Sequence, residues 1–245
     1  MFAPRLAKQA AIVALALHAY TGQAMAQESA YADLDACTRS EQIKSTAKGA
    51  LTGALAGFGG AYLTGNKDKA KKAALVGLAG GGAIGFATAY YSAIDTCNKL
   101  NPGWVTESKL MRDPSKSYAD VKKEHRYTGK EGVVLHLRDI AMQDQARPGD
   151  KVAIDTIYDV LTPDGAETPV VFSRKLFVVA DGTEKLVPFP MAATATRTVE
   201  AGRSKESLML PISGETQAGT VYRIELSAAA ANKQPVVMSK SVTVI

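Results

Sequence analysis

Small residues recur at every fourth position through residues 45–94, and no other feature narrows the possible folds as far. Gly49, Gly53, Gly57, Ala61 and Gly65 form one series; Ala73, Gly77, Gly81, Gly85, Ala89 and Ala93 form a second. Residues four apart share one face of an α-helix. Each series therefore predicts a helix with a stripe almost bare of side chains. Glycine costs up to about 1 kcal/mol relative to alanine inside a helix, so a helix in water rarely carries so many. In a bilayer, small residues at this spacing let two backbones approach closely. The positions between are apolar: Leu51, Leu55, Phe58 and Leu63, then Leu75, Val76, Leu78, Ile84, Phe86 and Ile94. A basic tip, Lys67, Lys69, Lys71 and Lys72, separates the two series. Folding the chain about Lys69 sets Gly57 against Gly81, Gly53 against Gly85 and Gly49 against Ala89. The pattern predicts an antiparallel transmembrane hairpin over 45–95 with its stripes in contact. The alternatives are a soluble αα-hairpin and a flexible linker, and a linker needs neither regular spacing nor bulky residues between glycines.

This stretch resembles the glycine-zipper two-transmembrane family of bacterial envelope proteins, the group that includes the rickettsial surface antigens and SlyB-like outer-membrane proteins. The likeness covers residues 45–95, under a quarter of the chain. It implies a hairpin in contact with membrane lipid that self-associates or packs with other envelope proteins, in the outer membrane in preference to the inner. Many members are lipoproteins. Here Leu34-Asp35-Ala36-Cys37 is a poor acylation site, because polar Gln27, Glu28, Ser29 and Asp33 part it from the apolar run upstream.

Residues 1–26 read as a secretory signal peptide. Arg5 and Lys8 make the basic start, Ala10 to Ala19 the apolar core, and Ala24-Met25-Ala26 the cleavage site. The net charge of +5 falls to about +3 once Arg5 and Lys8 leave, since no acid leaves with them; that is too little to imply nucleic acid. Residues 27–44 lead into the hairpin. Export places Cys37 and Cys97, the only two cysteines, in an oxidising compartment. They flank the hairpin, whose closure brings them together, so a disulfide at its base is expected. With the cysteines in the periplasm, the lysine tip faces either the cytoplasm across the inner membrane or lipopolysaccharide phosphates across the outer one.

Residues 96–131 read as a polar connector with a short helix near Ser115–His125, capped by Ser115 or Ser117 and with Tyr118 and Val121 on one face. From residue 132 the period changes from four to two. Val152, Ile154, Tyr158 and Val160 alternate with Asp155 and Asp159; Tyr222, Ile224 and Leu226 alternate with Arg223, Glu225 and Ser227. Turn signals at Arg147-Pro148-Gly149-Asp150, Pro163-Asp164-Gly165 and Asp181-Gly182 separate seven or eight strands at sandwich-like spacing. The expected class is α and β in separate domains: a glycine-zipper transmembrane hairpin, then an all-β immunoglobulin-like sandwich over 132–245. Ala218-Gly219-Thr220-Val221-Tyr222 loosely resembles the turn and tyrosine before a late strand of such domains.

No catalytic constellation emerges, and neither a metal nor a cofactor is implied. Only His125 and His136 remain in the mature chain, at no zinc-like spacing. Asp155 and Asp159 share a strand face, but strand rise puts them about 13 Å apart. Three functions are consistent with the residues. The first is a non-enzymatic envelope protein whose hairpin oligomerises and displays a periplasmic sandwich. The second is a pore subunit, which needs a polar helix face that Thr52, Thr64 and Thr88 do not make. The third is an accessory part of a secretion or pilus assembly.

Overall fold

A computed structural model of the chain describes residues 33–53, 82–104, 108–180, 182–230 and 233–245, with side chains described in the first segment only to residue 44. Two helices open it, α1 (Leu34–Gly53) and α2 (Gly82–Leu100). After a 3₁₀ turn, Pro102–Trp104, come β1 (Lys109–Arg112) and α3 (Tyr118–Glu124). The strands then run β2 (Val134–Met142), β3 (Gln145–Ala146), β4 (Lys151–Leu161), β5 (Thr168–Ala180), β6 (Thr183–Val187), β7 (Thr194–Val199), β8 (Gly202–Pro211), β9 (Val221–Ala230) and β10 (Val236–Val244).

The strands form two sheets. One has the order β1-β8-β4-β2, and the other β3-β10-β9-β5-β6, with β7 also paired to β5. Between them lies an apolar core: Ile140, Val152, Ile154, Leu208 and Leu210 from the first sheet meet Leu176, Val178, Tyr222, Ile224, Leu226 and Val242 from the second. This sandwich-like packing follows from the two-residue alternation, since successive side chains of a strand point to opposite faces. β4 and β9 obey it as expected from their sequences. β2 does not, because its register shifts between Leu137 and Asp139. A bulge inserts an extra residue, so Leu135 and then Ile140 and Met142 are the buried positions. At the turn after β4, Gly165 has φ +74°, and a Cβ there would lie 3.2 Å from the Tyr118 ring. Both facts demand glycine.

The segment expected as a connector contributes to this body. β1 pairs antiparallel with β8, from Lys109 opposite Ser207 to Arg112 opposite Ser204. α3 starts at Ser117, whose side chain accepts from the Asp120 amide while Asp120 accepts from the Ser117 amide. Val121 is buried against Tyr127 and Leu161, so the helix lies on the outer face of the first sheet.

The helical stretch departs from the transmembrane expectation. Among the described residues no helix is long and apolar enough to cross a membrane. Ala87, Tyr91 and Ile94 of α2, expected in lipid, belong to the same core as the sheets, with Ile84 and Tyr90 packed against it. Tyr91 reaches across the seam: its hydroxyl donates to the Pro211 carbonyl at 2.9 Å, and its ring meets Tyr222 edge-on at 5.9 Å. The physical reason is that apolar residues at helical spacing need an apolar partner, and the inner sheet faces supply one as readily as lipid does. Residues 54–81, with Gly57, Ala61, Gly77, Gly81 and Lys67, Lys69, Lys71 and Lys72, lie outside the described residues, as does the expected signal peptide.

Candidate functional site

Cys37 in the first turn of α1 and Cys97 in the last turn of α2 form a disulfide with a Cα–Cα distance of 6.0 Å. Both are fully buried, so the chain leaves the bridge through α1 and returns to it through α2. Of the expected stripe residues, Gly49 and Gly53 lie on α1 and Gly85 and Ala89 on α2. Ala89 is half-buried. A Cβ added at Gly85 would meet nothing described within 4 Å.

A second cluster joins residues far apart in sequence. On the outer face of the first sheet, β4 register sets Asp159 beside Arg203 of β8 and beside His136 of β2. The helix α3 then lays Glu124 and His125 over them. Asp159 is fully buried. It accepts from Arg203 Nε at 2.7 Å, Arg203 Nη2 at 2.9 Å, Arg138 Nη1 at 3.1 Å and pairs with His125 Nε2 at 2.8 Å. Burial pushes its carboxyl up, but the hydrogen bonds from Arg203, His125 and Arg138 outweigh burial and hold it at about 2. Glu124 is held low too, chiefly by Arg138. The His125 and His136 rings stack at 4.1 Å. Burial lowers the His136 pKa, and its electrostatic interaction with the stacked His125 lowers it further. The cluster fixes α3 to the sheet. With every oxygen of Asp159 committed to cationic donors, it offers no general base.

A third polar group lies between the sheets. Arg174 of β5 and Glu206 of β8, both pointing inward, form a buried ion pair. Tyr158 donates to Glu206 at 3.0 Å, and Arg174 Nη1 donates to the Ala192 carbonyl at 2.8 Å. Burial and the neighbouring carboxylate push the Tyr158 phenol up, so it remains a donor. This layer separates the main core from a smaller one around Leu135, Tyr158, Val160 and Phe172.

Sequence reasoning found Cys37, Cys97 and the α3 cap. It read His125 and His136 only as lacking zinc-like spacing, and it found neither ionic cluster. The available signal was the alternation, which puts Arg174 between Phe172 and Leu176 on the inward face of β5.

No family model matches the chain, and no curated protein matches it. Solved structures with partial similarity include the CARDB domain of a Pyrococcus furiosus protein in complex with di-metal ions, at 16% identity, covering 46% of this chain and 94% of that one, with a TM-score of 0.32. A Niemann-Pick type C2 protein from the Japanese carpenter ant has 9% identity, covers 46% and 93%, and has a TM-score of 0.32. The alkylpurine DNA glycosylase AlkC of Pseudomonas fluorescens has 10% identity, covers 70% and 50%, and has a TM-score of 0.33. Scores this low carry no inference about fold or function.

Proposed function

We propose that the chain is a non-enzymatic bacterial cell-envelope protein. An immunoglobulin-like sandwich in the periplasm carries a glycine-striped helical hairpin that engages membrane lipid and packs with itself or with other envelope proteins. One observation carries this reading: the base of the hairpin is built into the sandwich. The Cys37–Cys97 bridge closes that base, and Ala87, Tyr91 and Ile94 root α2 in the core. α2 is thereby anchored to the domain through its buried residues and the bridge, as a scaffold requires and a flexible tether does not provide.

The immunoglobulin-like assignment is supported by strand order. β2-β4-β8 face β5-β9-β10, and β3, after the chain crosses between sheets, runs parallel to β10. Tyr222 at the start of β9 is fully buried, with its hydroxyl 3.3 Å from Thr216 Oγ1 six residues upstream. The lipid-engaging part is the segment that includes residues 54–81, because α2 from Ala87 onward is committed to the domain. The outer membrane is preferred, with Lys67, Lys69, Lys71 and Lys72 directed at lipopolysaccharide phosphates.

The test is to express the chain with its own leader, separate inner from outer membrane, crosslink mildly and run a non-reducing gel. The expected result is an outer-membrane ladder with the bridge intact, lost in a Gly57→Leu/Gly81→Leu double variant whose sandwich still melts normally. A monomer free in the periplasm refutes the proposal.

A further inference from the structure

On the side of the sandwich where β1 faces β7, hydrogen-bond donors outnumber acceptors. Arg174 Nη2 and Arg197 Nη2 both donate to Ser108 Oγ, at 3.0 and 3.1 Å. A serine oxygen has two lone pairs and one O–H. The two guanidiniums take both lone pairs, and the O–H has no acceptor among the described residues. Arg174 is neutralised by Glu206, yet its Nε is buried with no partner. Arg197 is half-buried, and among the described residues its guanidinium hydrogen-bonds to Ser108 with no described carboxylate paired to it. Two guanidiniums thus meet at one hydroxyl, and the carboxylate of Glu206 offsets Arg174 alone. One positive charge and several N–H groups are left over where water is partly excluded, and an uncompensated charge is costly in such a place.

We propose that Ser108, Arg174 and Arg197 form a binding site for a small oxyanion, carboxylate or phosphate in kind. Arg197 supplies the charge, since that of Arg174 is offset by Glu206. Its planar fork matches two oxygens of the anion, and the Ser108 hydroxyl donates a further hydrogen bond. The exposed Arg112–Glu200 pair, 2.8 Å, also links β1 to the residue after β7. An anion held there ties the two sheet edges together, so binding raises the stability of the sandwich.

The experiment titrates inorganic phosphate, and separately acetate, against the full chain, with chloride at matched ionic strength as reference. Saturation with phosphate or acetate raises the melting midpoint by about 2–4 °C over chloride. A rise with acetate alone identifies a carboxylate site, and one with phosphate a tetrahedral-oxyanion site. Arg197→Gln abolishes the rise, and Arg197→Lys keeps less than half of it. No rise over chloride, or a rise unchanged in Arg197→Gln, overturns the proposal. Glu107 precedes Ser108 and lies outside the described residues, so Glu107→Gln serves as the control. A rise seen only in that variant means the chain's own carboxylate fills the site, which also overturns it.

Discussion

Replacing Ile94 by alanine separates a helix rooted in the sandwich from a helix dissolved in lipid. Ile94 is 1% exposed and lies in the core with Ala87, Tyr91, Leu176 and Tyr222. Truncating a buried isoleucine to alanine removes its transfer energy and leaves a cavity, together about 2–5 kcal/mol. In a folded body of this size each kcal/mol moves the midpoint by about 2–4 °C. Calorimetry of the full chain should therefore show the sandwich transition falling by roughly 4–20 °C. Tyr91→Phe is the finer probe. It keeps the ring against Tyr222 and removes only the hydroxyl that donates to Pro211. One hydrogen bond is worth about 1 kcal/mol, so a drop of about 2–4 °C follows. Leu100→Ala at the helix end is the control, since Leu100 is 60% exposed; such changes stay within about 0.5 kcal/mol. If α2 were a lipid-facing span, Ile94→Ala would leave the sandwich transition in place. A shift below 2 °C refutes the packing argued above.

Reducing the Cys37–Cys97 bridge, which closes a separation of 60 residues, should cost about 2–4 kcal/mol, read as a lower midpoint in dithiothreitol that Cys37→Ser/Cys97→Ser matches without reductant. Glu206→Leu strands Arg174 in the core and should cost about 3–5 kcal/mol, while Arg174→Leu/Glu206→Leu recovers most of that loss; equal losses in single and double variants would refute an ion-pair origin. Acid melts should expose Asp159: its folded pKa of about 2 lies below its ordinary value of 3.8, so its stabilisation is full above pH 4 and drains as pH falls toward 2. The contribution is about 2 kcal/mol, and Asp159→Asn should flatten that window. His136 also has a lowered pKa, so its contribution is present above pH 6.5 and is lost as pH falls below it; denaturant midpoints across pH 5–7 should lose that slope in His136→Gln.

Much of the sandwich was legible because its strands keep strict alternation. Val152 to Val160 and Tyr222 to Leu226 are read correctly from spacing alone, and the turns at Gly149 and Gly165 have the positive φ that glycine permits. The bulge in β2 was not legible, since one inserted residue leaves no mark in composition. Nor were the ionic clusters. Asp159, Arg203 and His136 become neighbours only through strand register, and His125 joins them only because α3 folds back over the sheet. The disulfide was legible because two cysteines flanking a hairpin leave one pairing within the chain. The fate of α2 was not, because Ala87, Tyr91 and Ile94 carry the same apolar spacing whether their partner is lipid or a sheet.

The described part of α2 is fixed by its packing in the sandwich. From Gly82 to Leu100 α2 is continuous, so its amino-terminal end cannot turn independently of the half that holds Tyr91 and Ile94 in the core. The bridge at Cys97 fixes its other end to α1. A flexible Gly/Ser-type segment in place of α2 would not be held in this way. Here any rotation of the helix would have to break the Tyr91–Pro211 hydrogen bond and the edge-on contact with Tyr222. Any such rotation would therefore cost a partly buried hydrogen bond and an aromatic contact together, and the Tyr91→Phe variant measures the first of these.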